Sequence, residues 1–211
     1  MSTGTTEDGE LDTLVIKNIA DIEAAMKHGV EVLGPRIWQE VGKAVVEQCD
    51  QSTHHATADA EAEDVWLAQR SALLPESESA DPDFWLGLDE RTSLGGDGEN
   101  SWLATFMGNG PNGATVALWV DQKIVGKPRW KKIVRSSDDL VEELRTAGFD
   151  VVEDDDRRLC IPLTLDADAL AAAFRSDDFT IAMDPVRDAV RKAVAAAPLL
   201  ERLRALALAA A

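Results

Sequence analysis

An acid and a lysine two positions apart, Asp121 and Lys123, close an apolar run at 114–120. On a strand, alternation turns both side chains to one face. Two carboxylates that hold a divalent ion, beside a lysine that orients or deprotonates water, are the equipment of metal-dependent phosphodiester cleavage. A second carboxylate would have to come from another element. Just downstream, Lys127, Arg129, Lys131, Lys132 and Arg135 surround Trp130 in the one concentrated basic run of the chain. Cations in that density can grip an acidic partner or a phosphate backbone, and the indole could stack on a base.

Other reactive residue types form no comparable set. His54 and His55 follow Cys49 by five and six positions, but no second ligand pair stands at zinc spacing. His28 is isolated on a helical pattern, and Cys160 lies in an apolar run where a buried, inert thiol is expected. The Gly-Asn-Gly-Pro-Asn-Gly stretch at 108–113 lacks the Gly-Lys-Ser/Thr of a phosphate loop, and the acids at 153–156 lack the alternating ligands and central glycine of a calcium loop. Both read as turns. Trp85, Trp102 and Trp119, one on each expected strand, would share a sheet face as a core layer or, alternatively, as an aromatic binding floor; the core layer is the favoured reading.

The 211-residue chain carries 39 acidic and 21 basic residues, a formal charge of −18. Such a surface repels phosphate, which disfavours coating of nucleic acid or anionic lipid and suits a basic protein partner. No apolar run approaches the roughly 20 residues of a membrane span, and the polar first dozen residues do not read as a signal peptide. With two cysteines a disulfide scaffold is not expected, and a reducing cytoplasm is the expected compartment.

The elements that must position these residues emerge from periodicity. Residues 1–12 read as a disordered polar tail, followed by a single α+β domain over 13–211. Val15, Ile19, Ile22, Met26, Val30 and Leu33 recur at three- and four-residue steps, as do Ile37, Val41 and Val45 beyond Gly34-Pro35. Both stripes need cover. Residues 50–64 read as a surface connection and 65–74 as a short helix, so 13–74 is expected to be helical. Three strands at 84–88, 101–107 and 114–120 then form an antiparallel meander. A helix at about 138–146 and strands at 149–152 and 159–165 complete the sheet region, 84–165, and 166–211 is helical. Its closing Ala/Leu stripe, with Leu199, Leu203 and Leu206, is a surface the chain can donate to another subunit.

The order of helix, three strands, helix and strand over about 14–165 resembles the core of the PD-(D/E)xK nucleases, whose acid-x-lysine triplet lies on the third strand. Asp121 and Lys123 match that triplet, and the resemblance implies a second acid from the second strand, Asp97 or Glu99, with magnesium or manganese as the cofactor held by Asp121 and Asp97. A literal Pro82-Asp83 precedes the first strand, so it matches in letters rather than position. The same order is also similar to secretion chaperones and related small acidic partner-binding folds. The sequence as a whole is read as a non-catalytic acidic interaction module, self-associating or bound to a protein partner. The alternative is a metal-dependent nuclease, active or degenerate, and only that alternative involves nucleic acid.

Overall fold

In the computed structural model the described residues are 4–62, 64–73, 82–91, 102–110, 115–152 and 157–211. Helix α1 (Gly4–His28) runs through a π turn (Gly29–Leu33) into α2 (Gly34–Gln48). Strands β1 (His54–Asp59), β2 (Asp64–Gln69) and β3 (Phe84–Arg91) come next, then the short α3 (Trp102–Phe106) and β4 (Thr115–Gln122). Helices α4 (Lys127–Arg135) and α5 (Asp138–Thr146) precede β5 (Asp150–Val152) and β6 (Arg158–Leu163). Three helices end the chain: α6 (Ala167–Ser176), α7 (Asp184–Ala195) and α8 (Ala197–Ala210). All six strands join one antiparallel sheet in the order β1-β2-β3-β4-β6-β5. This is an α+β fold with helices at both ends.

Local chemistry sets many of the boundaries. Pro35 occupies the first turn of α2, where its missing N–H costs nothing. Asp166 accepts from the Ala169 N–H at 2.8 Å and caps α6. Pro185 and Pro198 sit in the first turns of α7 and α8 and set each helix apart from the segment before it. Pro162 pairs with Ala117 in a strand flanked on both sides, but the β5 register stops at Cys160, so no ladder partner is lost beyond it.

The expected meander is corrected at three places. The 50–64 connection and the 65–74 helix are instead the hairpin β1–β2, paired over six residues from His54↔Gln69 to Asp59↔Asp64. The expected strand at 101–107 is instead the helix α3, and β3 pairs directly with β4 over eight residues. The polar stretch from Gly4 to Asp12 belongs to α1 rather than to a disordered tail. The turn at 92–100 and the acidic turn at 153–156 lie outside the described residues.

One face of the sheet carries the core. Val65, Leu67, Leu86, Leu88, Val116, Leu118, Val120, Leu159, Ile161 and Leu163 point to it, under apolar side chains of α2 and of α4 through α8. Helix α2 lies on β1 and β2 and packs against α7. It comes so close that a Cβ on Gly42 would sit 2.6 Å from the Ala58 Cβ. Gly42→Ala should therefore cost about 1–3 kcal/mol in urea unfolding, the usual range for overpacking, whereas Gly9→Ala, with open space around it, should show no loss.

Candidate functional site

Asp121 and Lys123 lie where β4 runs out beside the start of β3. Asp121 stands opposite Trp85 in the register, is exposed, and accepts from the Gln122 N–H at 2.8 Å. Gln122 closes the next turn, donating to the Val125 carbonyl and accepting from the Val125 N–H, each at 2.8 Å. The Lys123 ammonium lies 5.3 Å from the centre of the Trp85 ring, so both members of the triplet are on the Trp85 side of the sheet. The Lys123 N–H donates to the Asp83 carbonyl at 2.9 Å, which brings the literal Pro82-Asp83 beside the triplet. The Asp83 carboxylate is nevertheless committed elsewhere. Arg204 of α8 grips it through Nε and Nη2, each at 2.8 Å, and reaches Glu201 with Nη1 at 3.2 Å. The hydrogen bonds to Asp83 push the Arg204 guanidinium further above its ordinary pKa.

Asp97 and Glu99 lie outside the described residues, and the strand expected to bring them to Asp121 is replaced by α3. Among the described residues no group of three or more His, Cys, Asp or Glu side chains is placed to hold a metal. His54 and His55 cannot share an ion. As neighbours on β1 they face opposite ways, His54 into the core and His55 against the Trp66 ring, with centroids 5.4 Å apart.

The basic run forms α4. Its tryptophan is not available for stacking: Trp130 is 8% exposed and meets Phe84 edge-on at 6.0 Å, while Ile133 and Val134 are also buried. Lys127, Arg129, Lys132 and Arg135 are exposed and Lys131 is half-buried. Arg129 donates to the carbonyls of Ala210 and, at 3.3 Å, Ala211, where a cation complements the negative end of the α8 dipole. At least one of the five cations therefore serves the fold.

Trp85 and Trp119 do share a sheet face. The third indole on it is Trp66, from a strand that reads as a helix in sequence, whereas Trp102 lies in α3. Trp66 and Trp119 flank Gly87 in the register, and the Trp85 indole lies over Gly87, whose Cβ would meet its Nε1 at 3.3 Å. Arg158 stacks on Trp119 at 4.2 Å, and Trp119 Nε1 donates to the Asp89 carbonyl at 3.3 Å. The stacked cations and His55 cover the rings, so the layer reads as a seal on the sheet.

Most of the uncovered large apolar side chains among the described residues lie on α1 and the π turn. No side chain at 9–28 is buried, and α1 adds nothing to the core cluster. Leu11, Leu14, Val15, Ile16, Ile19, Met26, Val30 and Val32 are eight of the eleven exposed large apolar residues among those described, with Ile16 at 73% and Met26 at 67%. Of the Ala/Leu segment expected to serve another subunit, Leu200, Leu203 and Ala207 of α8 are buried where α8 packs on α4, α5 and α7, while Leu206 and Leu208 stay exposed at 43% and 47%. The signal for α1 was present as the three-four stripe. What sequence could not supply was the fact that other helices already occupy the sheet.

Among the described residues no helix is long and apolar enough to cross a membrane. Comparison of the chain with protein-family models, curated proteins and solved structures finds no match.

Two buried groups give measurable predictions. Arg204→Leu strands the largely buried Asp83 carboxylate and should lower stability by about 2–3 kcal/mol, somewhat below the cost of breaking a fully buried pair, in denaturant unfolding. Burial holds the His54 imidazole below its ordinary pKa, against the opposing pull of Asp50. The folded state thus binds this proton more weakly than the unfolded chain. The His54 contribution is whole above pH about 6.5 and is lost as pH falls through the folded value. Between pH 7 and 5.5 the wild-type chain should lose stability more steeply than His54→Gln.

Proposed function

We propose that this chain is a non-catalytic, acidic protein-interaction module that acts within a homo- or hetero-oligomer and docks through α1. The observation that carries the reading is the stripe of α1, left in water while α2 and α4 through α8 all contribute buried side chains to the core. An amphipathic helix of this length is marginal alone and gains its stability from a surface that takes its apolar side. An apolar stripe laid into a partner is a recurring mode of recognition, read as anchors three and four residues apart. The charge of −18 adds solubility and selects against phosphate-rich partners. A chain with only two cysteines, both buried, suits a reducing cytoplasm. The metal-dependent alternative, with Asp121 and Lys123 as its residues, gains no support from the Asp83 carboxylate, which Arg204 occupies.

The test is the double substitution Ile19→Asp/Met26→Asp. Both positions are exposed, so the melting temperature should stay within about 2 °C of wild type, as for ordinary surface changes. Light scattering after gel filtration, with tagged chains recovered from extracts of the source cell, should show an assembly that the wild type forms and the variant loses. A wild type that is strictly monomeric and recovers the same species as the variant would contradict the reading.

A further inference from the structure

Given the reading of α1 as a docking element, on which the choice of partner rests, the charges along the helix narrow that choice. From Gly9 through the π turn, Glu10, Asp12, Asp21, Glu23 and Glu31 oppose only Lys17 and Lys27. Asp12 stands three residues before Val15 and Glu23 four after Ile19, so a carboxylate borders the stripe in each half of the helix. Lys27 is turned to Glu31, with their charged atoms 3.9 Å apart. The helix bends at Asn18 (φ −118°, ψ 15°), whose side-chain amide donates to the Leu14 carbonyl at 2.8 Å. The two halves thus present a bent apolar track with acidic edges.

A second copy of this chain fits that track poorly. Pairing α1 with α1 sets acidic edge against acidic edge and brings together two bodies of charge −18 each. A helix with an apolar stripe and lysine or arginine on its flanks meets both demands, burying the stripe while its cations face Asp12 and Glu23. We infer that the occupant of α1 is a cationic amphipathic helix of another protein.

The sign of the salt dependence separates the candidates. Cation-to-carboxylate contact weakens as salt rises, whereas pairing between two acidic copies strengthens, because screening removes repulsion. The experiment uses the full-length chain and two fluorescent synthetic peptides of about 20 residues, long enough to form several helical turns. Both carry leucine at three-four spacing. One has arginine and lysine on the flanks and its twin has glutamate at those positions. By anisotropy, the cationic peptide should bind at least tenfold more tightly than the twin. Its affinity should fall at least tenfold between about 50 and 300 mM salt. Ile19→Asp should abolish binding, and Asp12→Asn/Glu23→Gln should weaken it severalfold without changing the circular dichroism spectrum. Equal binding of the two peptides, or no effect of the Asn/Gln pair, would overturn the charge assignment and leave α1 as a docking element. Failure of both peptides, together with a salt-strengthened dimer that Ile19→Asp dissociates, would give the stripe to a second copy. Failure of both with a monomer at every salt concentration would remove the docking reading as well.

Discussion

Val116, Leu118 and Val120 on β4 lie against the same apolar layer as Ile37, Val41 and Val45 of α2 and Val186 and Val190 of α7. That contact between one sheet face and its helices is the constraint on which the rest of the structure depends. A sheet of six short strands offers a limited area, and a close-packed interior accepts no further layer. Helices α2 and α4 through α8 fill it, with Gly42 trimmed to a hydrogen so that α2 can come within contact of β1. The stripe of α1 stays in water and adds nothing to this layer.

The opposite face is closed by a different device. Trp66, Trp85 and Trp119 lie across β2, β3 and β4, and His55, Lys123 and Arg158 rest on them one by one. An aromatic ring is wide and apolar, and its negative face attracts a cation whose stem also covers surface. The lysine of the Asp121–Lys123 pair is one of these covers. A residue that reads as a candidate for chemistry in the sequence thus has a structural part to play at the end of the sheet.

Much of the fold was legible because the signals were local. Asp166 before an apolar period, Pro185 and Pro198 at helix starts, and the 114–120 run each fixed an element by its own chemistry. The errors fell where local signals conflict with pairing. Val65, Trp66, Leu67 and Ala68 form an apolar run too short to show a period, and only the register with β1 and β3 makes it a strand. His54 to Asp59 is polar and small, so nothing in it announces an edge strand. Trp102 to Phe106 carries strand-favouring side chains but forms a helix. The candidate site suffered from the same limit. Sequence could pair Asp121 with Lys123, but not see Arg204, 121 residues beyond Asp83, claim that carboxylate. Nor could it show that α8 buries Leu200 and Leu203 against other helices while α1 buries none of its stripe.

The most direct test of this account is the backbone hydrogen exchange of α1 in the isolated chain, at concentrations where light scattering gives the 22.8 kDa of a single copy. An exposed helix is held by little more than its own turns, whereas α2 opens only with the core. Amides at 11–28 should therefore exchange at least about a hundredfold faster than those of Ile37, Val41 and Val45 in α2. Equal protection of the two helices in a single copy would mean that the body of the protein covers the stripe, and would contradict the account.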